Sequence, residues 1–214
     1  TLSSKQDDVK RIKQMTRRAI KTGTYIMAPM MMGLFFCAEP LIRLVLTDKW
    51  LQCVPFLRIF CITYMFYPIH TANLNAIKAM GRSDLFLKLE IIKKLVGVIL
   101  LFSTMWFGVM AMAYSLLISS LINQIINSWP NRKLLNYGYL EQLKDIMPGI
   151  IVAIGMGCCV NLVGMLYMSD IVTLMIQIPM GAIIYVAFSA AVHLESFEYL
   201  WNMVKSILKK SDEK

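Results

Sequence analysis

Long apolar runs alternate along the chain with short polar and basic links, and each run approaches the roughly 20 residues that an α-helix needs to cross a bilayer. Six can be delimited: 24–46, 55–79, 84–107, 109–129, 147–168 and 171–192. The stretch 50–94 shows the logic of all of them. Pro55 sits where a first helical turn would start and has no backbone N–H to lose there. An almost uncharged run follows to Ile77, Gly81 ends the helix, and Ser83 or Asp84 can accept from the free amides of the next one. The pattern therefore predicts a span, a tight hairpin Met80-Gly81-Arg82-Ser83-Asp84 in water, and a returning span.

Both ends carry a different period. Val9, Ile12, Thr16 and Ala19 recur at helical spacing among seven Lys and Arg residues in 1–21, which predicts a helix that lies on the membrane or extends the first span into water. Phe197, Leu200, Trp201, Val204 and Ile207 recur likewise, with Lys205, Lys209 and Lys210 beside them, and predict an interfacial helix over 195–210. Between the ends, Pro29 and Pro40 predict a kinked first span, Pro68 an interruption of the second, and Pro179 with Gly181 a break in the sixth. The segment 130–145 reads as a polar connection. Gly149, Ala153, Gly157 and Asn161, four apart, form a ridge on which another helix can sit closely. The expected fold is all-α: a polytopic membrane helical bundle of about six transmembrane helices, divided into an amphipathic segment 1–21, a bundle 22–193 and an amphipathic tail 194–214.

Composition supports this and adds an orientation. Of 214 residues, 57% are apolar and 16% charged, and the mean hydropathy is +0.60, outside the range of ordinary soluble domains. Seventeen methionines suit adaptable packing against lipid and helices. Residue 1 is Thr, so the sequence reads as a piece of a longer chain. Cys37, Cys53, Cys61, Cys158 and Cys159 form no ligand-spaced cluster and read as small packing residues, so no metal or cofactor is expected. The net charge of +9 is dispersed between apolar runs, which argues for topology and against a nucleic-acid partner. Segments 1–21, 78–94, 130–145 and 194–214 hold seven, five, three and four Lys and Arg residues, while Arg43, Lys49 and Arg58 belong to the opposite side. By the positive-inside rule both ends face the cytoplasm.

Candidate chemistry concentrates in the second span. At about 100° per residue, Thr63, Tyr64, Tyr67, His70 and Thr71 fall within an arc of about 120°. Such a stripe is misplaced against lipid tails and faces either other helices or a watery cavity. Arg58, Lys78 and Arg82 are further, weaker candidates for anion contact. Glu39 and Arg43, four apart, suit an ion pair near the interface or a coupling site. Asp84 with Lys88 and Glu90 with Lys94 are similarly spaced. Ser119, Ser120, Asn123 and Asn127 share a face of the fourth span and suit hydrogen bonds between helices.

Trp50, Pro55, Leu57-Arg58-Ile59, Pro68, Asn73 and Gly81-Arg82-Ser83-Asp84 with Lys88, Glu90 and Lys94 give the chain a resemblance. It resembles the C-terminal half of bacterial polysaccharide flippases within the superfamily of multidrug, oligosaccharidyl-lipid and polysaccharide exporters. The resemblance implies the second of two helical bundles around a central cavity, a missing N-terminal half, and placement in the bacterial cytoplasmic (inner) membrane. It also implies an undecaprenyl-pyrophosphate-linked glycan as substrate, with membrane lipids as surroundings. No nucleotide-binding loop of the GxxxxGK[ST] kind is present in the sequence. An ion-coupled multidrug exporter is the nearest alternative; a membrane polysaccharide polymerase or glycosyltransferase and a structural subunit are alternatives of other classes.

Overall fold

The computed structural model describes residues 2–165 and 169–212, and of these the side chains of 8–165 and 169–206. The end of the fifth apolar run at 166–168, and the side chains of Ile207, Lys209 and Lys210 in the tail, lie outside the described residues.

Among the described residues the chain forms nine α-helices and no strand: α1 (Leu2–Phe36), α2 (Ala38–Leu46), α3 (Val54–Met65), α4 (Tyr67–Ala79), α5 (Ser83–Thr104), α6 (Val109–Leu134), α7 (Tyr139–Gly164), α8 (Asp170–Ala191) and α9 (Glu195–Asp212). Short 3-10 stretches, Asp48–Cys53 and Met105–Phe107, fill two links. α1 is the central element. It packs on α7 along one side and on α3 and α4 along the other; α8 lies on α7, α6 on α3 and α4, and α5 lies outermost on α6. Ile12, Thr16, Ile20, Thr24, Ala28 and Met32, four apart, make its inward line. The basic N-terminal segment therefore extends the first span. Val9 and Ala19 are exposed, because the inward line drifts away from them.

The prolines act unequally. Pro40 cannot donate to the carbonyl of Phe36, and the chain bends by 68° between α1 and α2. Pro68 follows the interruption at Phe66 that divides α3 from α4. Pro29, Pro130, Pro148 and Pro179 lie inside continuous helices. The expected break at Pro179 and Gly181 is therefore absent: one lost backbone bond is tolerated where neighbouring helices hold the segment. Gly181 serves packing instead, since a Cβ there would stand 3.2 Å from Val160. Nor is 130–145 a loop. α6 runs through Pro130 to Leu134 and α7 begins at Tyr139, so Arg132, Lys133 and Lys144 ride on helix ends.

Four stretches are long and apolar enough to cross a membrane, Asp48–Ala79, α6, α7 and α8, or five if the bent pair α1 and α2 makes one span. The sixth expected run is α5, 22 residues and so about 33 Å long, with Lys88, Glu90, Lys93 and Lys94 between its start and its middle. Its outer face presents Leu87, Ile91, Leu95, Val98 and Phe102, and that of α8 Ile171, Met175, Ile178 and Ile183, an apolar exterior suited to lipid.

At one end of the bundle three reversals use left-handed residues: Gly81 (φ 70°), Asn136 (φ 47°) and His193 (φ 50°). At Gly81 the amide of Arg82 donates to Ile77 and that of Gly81 to Lys78, and at His193 the amides of Leu194 and His193 donate to Ser189 and Ala190. Each pair of bonds closes the carbonyls of a helix end.

Candidate functional site

The polar stripe of the second span meets the polar stripe of the fourth. α3 and α4 lie against α6, and the groove between them is a cleft of about 220 Å³ lined by Phe60, Thr63, Tyr64, Tyr67 and His70 on one wall and Leu116, Ser119, Ser120 and Asn123 on the other. Tyr64 and Tyr67 are about half exposed, with rings 6.4 Å apart, and the Tyr67 and His70 rings stack at 6.0 Å. The interruption at Phe66 leaves both tyrosines on the cleft. A second cleft of about 430 Å³ adjoins it, lined by Met27, Met31, Leu34 and Leu57 together with Phe60, Tyr64 and Tyr67. The two tyrosines thus form a partition, with hydroxyl and amide groups on one side and methionine and leucine on the other.

Within the stripe the polar atoms have different occupations. His70 Nδ1 is 2.7 Å from the Asn127 side-chain amide, so the histidine both lines the cleft and ties α4 to α6. Thr63 Oγ1 donates to the Ile59 carbonyl and Thr71 Oγ1 to that of Tyr67, each within its own helix. Thr71 does not reach the cleft wall. The Oδ1 atoms of Asn123 and Asn127 are buried and have no hydrogen-bond partner among the described residues. Of the residues read from the sequence, the structure therefore gathers Thr63, Tyr64, Tyr67 and His70, and adds Ser119, Ser120 and Asn123 from α6.

The basic candidates stand elsewhere. Arg58 lies against α1, its Nε 3.4 Å from the Phe35 carbonyl and its guanidinium over the Phe35 ring. Lys78 covers the Phe86 ring at 4.3 Å. Arg82 is paired with Asp84 at 3.1 Å, a hydrogen bond that holds the Asp84 carboxyl below its usual range. Asp84 thus prefers Arg82 to the Lys88 expected from spacing, and Glu90 pairs with Lys93, not Lys94. Lys93 faces inward and is buried, while Lys94 is exposed. The Glu39–Arg43 ion pair forms at 2.8 Å and is half exposed, with Asp48 at 3.7 Å from Arg43.

A polar core below the cleft escapes sequence reading. Asn73 is fully buried and donates to Ile69 O (2.9 Å) and Gln142 Oε1 (2.7 Å). Its Oδ1 accepts from Asn131 Nδ2 (2.6 Å) and Gln142 Nε2 (2.9 Å). Beside it, Tyr137 donates to Asp145, which also receives both Arg17 hydrogen bonds, at 2.7 and 2.6 Å. Burial pushes the Tyr137 hydroxyl well above its ordinary range, and the Asp145 carboxylate pushes the same way.

Residues 1–55 match the family described as polysaccharide biosynthesis protein, a region that comprises α1, α2 and the first 3-10 stretch. An uncharacterized membrane protein in the cps region of Klebsiella pneumoniae is 28% identical over 127 residues, which is 59% of this chain and 26% of that protein. Over those stretches the chain is similar to a polysaccharide biosynthesis family and to a membrane protein of a cps region. It spans about a quarter of the length of that curated relative, at 26%. No solved structure matches it.

Proposed function

We propose that the chain is one helical bundle of a transporter that flips an undecaprenyl-pyrophosphate-linked oligosaccharide across the bacterial inner membrane for cell-surface polysaccharide synthesis. The observation that carries this reading is the cleft between α3, α4 and α6, whose walls are hydroxyls, amides and two half-exposed tyrosine rings. Aromatic faces and hydroxyl-binding groups suit sugar rings, which present both apolar C–H faces and hydroxyls. At about 220 Å³ it falls below the roughly 300–1,000 Å³ of a complete small-molecule site. Such an open half-cavity fits a substrate path closed by a second bundle, supplied by the missing N-terminal half. The apolar cleft across the tyrosine partition suits the lipid portion of an amphipathic substrate. The family match and the cps-region relative support a place in polysaccharide synthesis.

In this reading Tyr64, Tyr67 and His70 contact the glycan. Arg58, Lys78 and Arg82, engaged with Phe35, Phe86 and Asp84, assist by local charge alone, and the exposed Glu39–Arg43 pair is structural. Replacing Tyr67→Phe and His70→Gln in the full-length transporter keeps most of the volume and alters the polar groups. Glycan export is expected to fall at least tenfold while abundance and thermal stability in detergent stay near the parent. Unchanged export, or a stability loss in step with the activity loss, would show that these groups serve packing.

A further inference from the structure

Where α1 leaves the apolar region it meets the start of α9, and the two enclose a cleft of about 470 Å³ lined by Arg17, Arg18, Lys21, Thr22, Ser196 and Tyr199, with Glu195 and Gln14 completing it. Lys21 is the last basic residue before the apolar run 24–46, and α8 ends at Ala191. The cleft therefore sits beyond the ends of these apolar runs, so that in a bilayer covering them it would lie at the level of the lipid phosphates. Its charges are unevenly committed. Lys21 spans Asp145 and Glu195, and Arg17 gives Nε and one terminal nitrogen to Asp145. Arg18 pairs with no carboxylate among the described residues; its guanidinium lies on the Tyr199 ring at 4.7 Å, fixed by stacking and open at its edge. The cleft thus offers a preoriented guanidinium edge beside two hydroxyls and a net positive field. Further along α9, Trp201 and Val204 are exposed and Phe197 stacks on Trp201, an apolar surface continuing from the basic one.

We infer that this cleft binds the phosphate headgroup of an acidic phospholipid, with Arg18 as the principal contact, Thr22 and Ser196 as hydroxyl donors, and the α9 aromatics against the acyl chains. Neither the glycan nor the orientation in the membrane enters the inference. The bound lipid bridges α1 and α9, so it stabilises the docked tail.

Thermal unfolding of the full chain in detergent, titrated with dioleoyl-phosphatidylglycerol, tests it. Saturable stabilisation is expected, with dioleoyl-phosphatidylcholine giving none. Arg18→Gln should weaken the apparent affinity about fivefold, the effect of one basic contact with an anionic headgroup. Arg18→Lys keeps the charge but not the stacked fork and should fall between the parent and Arg18→Gln, while the lipid-free unfolding temperatures of all three stay alike, which separates loss of the contact from loss of fold. Lys133→Gln, exposed on α6 at the same end, should change nothing. Equal stabilisation by the neutral lipid, an unaltered Arg18→Gln titration, or an equal loss in Lys133→Gln would overturn the site. Inorganic phosphate reproducing the effect at millimolar concentration would overturn the lipid assignment and make the ligand a soluble phosphate.

Discussion

Asn73 bears the densest polar pairing in the interior, and its surroundings decide what that is worth. In a low-dielectric core each bond gains strength, and each orphaned partner costs its desolvation. Asn73→Leu removes the acceptor of Asn131 and of Gln142 together. It is expected to destabilise the protein by about 1–3 kcal/mol, read as a lowered unfolding temperature in detergent. Thr71→Val, which deletes a bond to its own helix, should cost less than about 1 kcal/mol; equal effects from the two would mean that the network does not hold α4, α6 and α7 together. The two cases also mark what could be read without a structure. Thr63, Tyr64, Tyr67 and His70 share a face of one continuous run, and angular spacing alone brings them together. Asn73, Asn131 and Gln142 come from three helices, and no period within any one of them announces their meeting. The same applies to Arg17 and Asp145, which are 128 residues apart.

At the scale of elements, local chemistry set the reversals and tertiary packing set the rest. Gly81 and Pro68 mark real interruptions: a left-handed residue closes α4, and α3 ends where the missing donor of Pro68 begins the next helix. Pro130 and Pro179 mark none, since the helices around them continue to bury their faces. The ridge on α7 works as its small residues suggest: Ala153 is fully buried against the core, and a Cβ on Gly157 would strike the Phe36 ring where α1 ends. α9 was legible as an amphipathic helix, but its docking was not, because that depends on Phe197 and Leu200 reaching the core and on Lys21 meeting Glu195. The Lys21 hydrogen bond and charge hold the Glu195 carboxyl below its ordinary range, with Arg17 helping and Asp145 opposing. A carboxyl with a depressed folded-state pKa contributes stability above its unfolded value, and the contribution is lost as pH falls through the folded one. Docking of α9 should therefore loosen below about pH 4.3, the ordinary glutamate value, by less than about 1 kcal/mol because the Glu195 carboxylate is exposed. Protease cleavage within the tail, measured from pH 7 to pH 4 with an acid-tolerant protease, should accelerate in the parent. Glu195→Gln should cleave faster at pH 7 and flatten the profile; an identical pH dependence in that variant would assign the transition to another group.

For the whole molecule the governing feature is an apolar exterior around a partly polar interior, and it was visible as hydropathy before any contact was known. The number of crossings is less direct, because α5 has the length of a span and the charge of an interfacial helix. Its position decides how it should be read: α5 and α6 pack together, and the 3-10 stretch Met105–Phe107 and Gly108 (φ 92°) reverse the chain between them. If α6 crosses, α5 returns along it, with Glu90 neutralising the buried Lys93 and Lys94 free to reach the interface. We propose six crossings with both ends in the cytoplasm, on the basic residues gathered at the end that holds Gly81, Asn136 and His193. Single cysteines at Arg82, Asn136 and Ser211 in an otherwise cysteine-free full-length protein should resist an impermeant thiol reagent in intact cells. A cysteine at Trp106, which is 82% exposed at the far end of α5, should label readily. Labelling at Arg82 with protection at Trp106 would invert the topology, and protection at both would mean that α5 lies along the cytoplasmic surface and that α6 does not begin outside.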